Sequence, residues 1–131
     1  MQVLLVEDHT DTRAVLSLLL NRCGCRTVTA KNLREARTRL EEMRFEILIC
    51  DLNLPDGDGL ELAGEAKKLQ PLKAIALTGR DSEQERVAGI NAGFDCYLTK
   101  PIEFRELQEA LRRSRNPADV SDRAREERSE S

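Results

Sequence analysis

Four places in this chain carry side chains that could do chemistry together: Glu7-Asp8, Asp51, Thr78 and Lys100. Each follows a short, mostly apolar stretch. Glu7-Asp8 comes after Val3–Val6, Asp51 after Ile47-Leu48-Ile49-Cys50, Thr78 after Ala74–Leu77, and Lys100 after Asp95–Leu98. Three carboxylates at one rim repel one another and raise each other's pKa unless a cation sits among them. Oxygen ligands without Cys or His suit a hard ion such as Mg2+, which keeps waters and binds through a few carboxylates plus phosphate oxygens. An ammonium and a hydroxyl beside that ion make a receptor for a phosphoryl group, whose transfer depends on charge neutralisation and positioning. One acid after one strand would be explained by helix capping or a surface ion pair. Four such strand ends in chain order favour the receptor.

The elements that must position these residues alternate. Val3–Val6 is too short for a helix and suits a strand buried on both faces. A helix is expected over about Asp11–Arg22, with Ala14, Val15, Leu18 and Leu19 inward and Gly24 ending it in the left-handed conformation. A strand follows over about Arg26–Ala30. Asn32 caps the next helix with Glu35 three residues on, a capping-box variant. Leu33, Ala36, Leu40 and Met43 form its inner face. Ile47–Cys50 is the clearest buried strand. Leu54–Gly59 is a turn by composition, with Gly57 and Gly59 as turn glycines rather than a nucleotide loop. A helix over Leu60–Leu69 stops before Pro71. After the strand Ala74–Leu77, Ser82 and Glu85 box the start of a helix reaching about Ala92. The strand Asp95–Leu98 precedes a last helix with Phe104, Leu107 and Leu111 inside.

Five strand–helix units predict an α/β domain: a doubly wound five-stranded parallel sheet with five flanking helices. In such a sheet the carboxyl ends of the strands form the ligand edge, so the four chemical positions converge there.

The composition narrows the function classes. The 131 residues carry 21 Lys+Arg and 24 Asp+Glu, a net charge of −3, with 40% hydrophobic residues and no Trp. An acidic balance and few aromatics argue against nucleic-acid binding. No stretch approaches the roughly 18–20 apolar residues of a membrane span, and the N-terminus lacks a basic leader, so a cytoplasmic protein without membrane contact is expected. Cys23, Cys25, Cys50 and Cys96 lack zinc-site spacing and are expected as small buried hydrophobes. Residues 1–115 are expected to form the domain. Residues 116–131 are a polar, charged tail with no core of its own and no output domain. His9, the one His, is read as a solvated loop residue rather than a metal ligand or base. Thr12, Arg13 and the exposed side of the first helix are read as a surface for a donor domain.

The ordered set Leu4-Leu5-Val6-Glu7-Asp8, Asp51–Gly59, Ala76-Leu77-Thr78-Gly79 and Tyr97-Leu98-Thr99-Lys100-Pro101 resembles the receiver domain of two-component response regulators, over nearly the whole chain. The resemblance implies the strand order 2-1-3-4-5 of the flavodoxin-like fold. It implies that Asp51 accepts a phosphoryl group from a phosphohistidine, in a switch rather than an enzyme, with at most self-phosphorylation and self-dephosphorylation. It implies Mg2+ held by Asp8, Asp51 and the Asn53 backbone carbonyl, with Glu7 acting through a water. Thr78 and Lys100 would hold the phosphoryl oxygens, Tyr97 would change rotamer, and the Lys100–Pro101 bond would be cis. Asn53 and Arg80 would tune how long the phosphoryl group survives. The implied partners are a histidine kinase or histidine phosphotransfer domain, a downstream protein that the sequence does not name, and a second copy. The second copy would dock on the face formed by the Ser82–Ala92 helix, the Asp95–Leu98 strand and the last helix. The protein is expected to be bacterial. It is either free-standing or the receiver of a hybrid sensor histidine kinase; Asp51–Gly59, Gly93–Phe104 and the start at the first strand lean toward the latter.

Other classes stand beside it. An Mg2+-dependent small-molecule phosphatase with an aspartyl-phosphate intermediate resembles the haloacid dehalogenases, but those need a second Asp where this chain has Asn53. A flavodoxin-like cofactor site would meet repulsion from Glu7-Asp8. A non-phosphorylated pseudo-receiver is disfavoured because every chemical position is filled.

Overall fold

The computed structural model describes residues 1–79, 87–88 and 90–115. The elements run β1 (Gln2–Val6), α1 (Thr10–Arg22), β2 (Arg26–Ala30), α2 (Leu33–Glu42), β3 (Ile47–Asp51), β4 (Asn53–Leu54), β5 (Gly57–Asp58), α3 (Leu60–Leu69), β6 (Lys73–Thr78), β7 (Cys96–Thr99) and α4 (Phe104–Arg115). Most of the expected Ser82–Ala92 helix, Arg80 and the tail 116–131 lie outside the described residues. Val87, Ala88, Ile90 and Asn91 are described and helical.

β1 and β3 have no polar side chain between Val3 and Val6 or between Ile47 and Cys50, so both their faces need cover. The sheet supplies it with the order β2-β1-β3-β6-β7, every pairing parallel. This is the expected 2-1-3-4-5 order once the short β4–β5 hairpin, outside the sheet, is set aside. The strand alternation sorts the core into two layers. Leu4, Val6, Leu48, Cys50, Ala74 and Ala76 pack with Leu33, Ala36, Leu40, Leu62, Ala63 and Ala66 of α2 and α3. Val3, Leu5, Ile47, Ile49, Ile75 and Leu77 pack with Leu16 and Leu20 of α1 and with Leu107, Ala110 and Leu111 of α4.

The inner face of α1 differs from the expected one in all but Leu19, which packs beside Leu16 and Leu20. Leu16 and Leu20 are buried, whereas Val15 and Leu18 are 56% and 58% exposed, Ala14 is exposed and Leu19 half-buried. The helix is apolar on more than one side, so spacing alone offers two candidate stripes, and contact with the sheet selects one. Phe104 also lies outside its predicted stripe, at 36% exposure, and Leu107, Ala110 and Leu111 fill that layer. The turn Leu54–Gly59 contains pairing that composition did not reveal: Asn53 opposite Asp58 and Leu54 opposite Gly57.

α2 begins as expected, with Asn32 Oδ1 accepting from Glu35 N–H at 2.8 Å. The return arm of the box shifts by one residue, since Glu35 Oε1 accepts from Lys31 N–H at 3.0 Å. The two remaining first-turn donors, Leu33 N–H and Arg34 N–H, go to the two carboxylate oxygens of Asp56 in the hairpin, at 2.9 and 3.0 Å. The N–H groups of the first three helical residues thus all have partners. Gly24 closes α1 at φ +82°.

Candidate functional site

The ends of β1, β3, β6 and β7 bring three of the expected residues into direct contact. Lys100 Nζ lies 2.5 Å from Glu7 Oε1 and 2.7 Å from Asp51 Oδ2. Glu7 has no exposed surface, and Asp51 is also buried. Two carboxylates at such a place need a cation between them, and the ammonium provides one. Burial pushes the Glu7 carboxyl up, against the lowering influence of hydrogen bonds from Lys100 and the His9 N–H. Burial works against the Lys100 charge, but the hydrogen bonds it donates to Asp51 and Glu7, with their charges, outweigh it and hold the ammonium above its ordinary value.

The backbone fixes Asp51 from below. Asp51 Oδ1 accepts from Asn53 N–H at 2.9 Å, and Leu52 N–H donates to Leu77 O at 3.1 Å. Gly59 starts α3 against this loop. A Cβ there would stand 2.4 Å from the Asp51 carbonyl oxygen, so only glycine permits the approach. Thr78 is fully buried at the end of β6, and its carbonyl accepts from Lys100 N–H at 2.7 Å. Tyr97 is half-buried and packs on the core layer under α2 and α3. The Lys100–Pro101 peptide is cis, as expected.

Asp8 sits one residue beyond Glu7 with its side chain 34% exposed. Glu7, Asp8 and His9 each offer a ligand atom, all within 4.8 Å of one another. His9 Nδ1 lies 3.8 Å from Asp8 and 3.9 Å from Glu7, with its side chain 73% exposed. The buried donors are oxygens alone, which fits a hard divalent ion. The Cys50 thiol, next in chain to Asp51, is buried, and burial drives its pKa far up, so it offers no thiolate. Cys25 is buried likewise, while Cys23 and Cys96 are half-buried.

Arg13 does not point outward as a docking residue. Its Nη1 donates to Glu7 O at 2.9 Å and Asp8 O at 3.2 Å. No spacing rule signals this turn of a long side chain back onto the preceding loop. Beside the site, Asp11, Thr12, Val15, Leu16, Lys100, Pro101 and Ile102 line a groove of about 490 Å³. A larger cavity, about 590 Å³, lies at the other end of the sheet by Glu46, Gln70 and Lys73, away from the strand-end chemistry.

A five-stranded parallel sheet in this order, with acids, a buried threonine and a lysine at its carboxyl edge, defines a flavodoxin-like signalling domain. The chain belongs to the response regulator receiver domain family, whose model matches residues 3–112. It is 39% identical over 110 residues to an uncharacterized 14.6 kDa protein of Leptolyngbya boryana, covering 82% of this chain and 84% of that one. It is 36% identical to the KDP operon transcriptional regulatory protein KdpE of Escherichia coli, covering 84% of this chain but only 49% of the regulator. Among solved structures it resembles a chain in the co-crystal of a Saccharomyces cerevisiae histidine phosphotransfer signalling protein with the receiver domain of its downstream response regulator. That likeness has a TM-score of 0.78 and 27% identity, and covers 85% of this chain and 86% of that one. The chain is therefore a receiver domain homologous to response regulators, a signalling module. Among the described residues no helix is long and apolar enough to cross a membrane.

Proposed function

We propose that Asp51 is the phospho-acceptor of a two-component phosphorelay. The observation that carries this is Asp51 at the end of the most buried strand, one oxygen on Lys100 Nζ at 2.7 Å and the other on Asn53 N–H at 2.9 Å. In the transfer, a carboxylate oxygen of Asp51 forms the new O–P bond as the N–P bond of a donor phosphohistidine breaks. The bonding pair returns to the imidazole. Lys100 supplies a fixed positive charge to the phosphoryl oxygens, and Thr78 a hydroxyl donor beside them. Asp8, Asp51 and the Asn53 carbonyl would hold Mg2+, with Glu7 acting through a water. When bound, the ion offsets charge on the transferring group. Asn53 and Arg80 set the lifetime of the product.

The donor is a histidine kinase or histidine phosphotransfer domain, as in the yeast pair, and it docks over the groove between α1 and Lys100–Ile102. Val15, exposed on α1 at that groove, supports this reading. Residues 1–115 make up the receiver and 116–131 a tail. The domain works in the cytoplasm, alone or within a longer protein such as a hybrid kinase, and pairs with a second copy through the face assigned to the Ser82–Ala92 stretch, β7 and α4. Asn53, where a phosphatase of the dehalogenase kind needs an acid, speaks against turnover of external substrates.

The test is incubation with acetyl phosphate and Mg2+ followed by intact-mass measurement. One phosphoryl adduct forms in the wild type, and chelating the metal abolishes it. Asp51→Ala and Asp51→Asn stay unmodified, since neither side chain is a nucleophile here. An adduct that persists in Asp51→Ala overturns the assignment.

A further inference from the structure

Asp8 is the most exposed of the three acids, and its nearest ion-pair partner, His9 Nδ1, stands 3.8 Å away. Its aim is therefore set mainly by its backbone. That backbone leaves the sheet at Glu7, whose N–H makes the last rung to Ala30 O at 3.0 Å. Beyond that rung, the carbonyls of Glu7 and Asp8 both accept from one nitrogen of Arg13. A single guanidinium nitrogen carries two N–H groups in a fixed plane, so it ties two successive peptide units in one geometry. Arg13 is itself anchored, its N–H donating to His9 O at 2.9 Å in the first turn of α1.

We infer that Arg13 is a positioning residue for the metal-binding acids: it clamps the peptide units of Glu7 and Asp8 and so holds Asp8 in its ligating direction. This rests on the reading that these acids hold Mg2+. Groups that orient ligands from behind commonly change metal affinity by about 10–100-fold when removed. Two rival roles give different outcomes. As a nearby positive charge, Arg13 would weaken cation binding, and neutralising it would tighten the site. As a docking residue for the phosphodonor, it would leave metal affinity unchanged.

The experiment compares wild type, Arg13→Met and Arg13→Lys. Methionine keeps an apolar stem without charge or donors. Lysine keeps the charge but ends one atom short of the carbonyls. Amide chemical shifts are followed during titration with Mg2+ in phosphate-free buffer. The half-saturating concentration should rise about tenfold in both variants, with the thermal midpoint within about 3 °C of wild type. Exchange of the His9 N–H, which donates to Glu7 Oε2 at 3.2 Å, should speed up in both metal-free variants. Unchanged or tighter Mg2+ binding in Arg13→Met overturns the clamp. So does slower transfer from a phosphotransfer domain with Mg2+ binding intact. A wild type that shows no saturable Mg2+ response overturns the metal reading instead, and the metal-free exchange rates then decide whether the clamp exists.

Discussion

Glu7 has no exposed surface and faces the Lys100 ammonium at 2.5 Å. A buried ion pair gives back in Coulomb energy about what it loses in desolvation, so its presence is weak evidence for stability. Glu7→Gln in metal-free protein should therefore be more stable than wild type, by about 1 kcal/mol at neutral pH in urea unfolding. The pH dependence follows from burial holding the folded-state pKa of Glu7 above its ordinary value. Below the unfolded pKa the carboxyl is protonated in both states, and the two proteins should match. As pH rises through the interval up to the raised folded value, the unfolded chain ionises first and wild type loses stability relative to the variant. A gap that widens toward low pH would contradict this account. The same variant should bind Mg2+ less tightly, so stability and function pull in opposite directions at this residue.

At the scale of the element, the β4–β5 hairpin does more than link β3 to α3. It begins at Asn53, whose N–H is held by Asp51, and its tip lays Asp56 across the start of α2. Hydrogen bonds from Leu33 N–H and Arg34 N–H are the main reason the Asp56 carboxyl sits below the ordinary aspartate range, against slight burial. A depressed folded-state pKa contributes stability that is present above the unfolded value and lost as pH falls through the folded one. Asp56→Asn should cost about 0.5–1 kcal/mol at neutral pH, as for a lost cap with an exposed charge. The difference from wild type should begin to close below about pH 4, the usual aspartate region, and vanish once pH is under the depressed folded value. Equal stability of the two proteins at pH 7 would mean that the bridge contributes nothing. Sequence reading missed this contact because it joins residues far apart in the chain, and turn composition reports the bend but not what the bend touches. It also chose the wrong stripe of α1, since Val15 and Leu18 are as apolar as Leu16 and Leu20. The strand runs and the acids, threonine and lysine that end them were legible for the opposite reason. A strand buried on both faces tolerates few polar residues, so the first ones to appear mark its end.

For the whole molecule, the strand order makes one rim from residues spread between Glu7 and Lys100. Parallel pairing sets Asp51 beside Leu77 and Thr78 beside Thr99, so the proposed phospho-acceptor, the hydroxyl and the lysine follow one another across the sheet. The lysine loop is bound to β6 through Lys100 N–H and Thr78 O at 2.7 Å. A phosphoryl group on Asp51 adds about −1.5 to −2 charges at this rim. Under the proposed reading it would give Lys100 and Thr78 a new partner on the side facing β6 and β7. Tyr97 is half-buried on β7, pairs with the buried Ala76 of β6 and packs on the layer under α2 and α3, whereas Leu77 and Leu98 are buried in the other layer. A population shift needs two states only a few kcal/mol apart. Beryllofluoride with Mg2+, as a stand-in for the phosphoryl group, should therefore shift amide resonances of Cys96–Thr99 as well as those of the strand-end loops. Thr78→Ala should still accept a phosphoryl group at Asp51 yet leave the Tyr97 resonances close to their resting positions. If β7 stays silent in the wild type while the loops around Asp8 and Asn53 respond, the charge is absorbed locally and the switch does not run through this edge of the sheet.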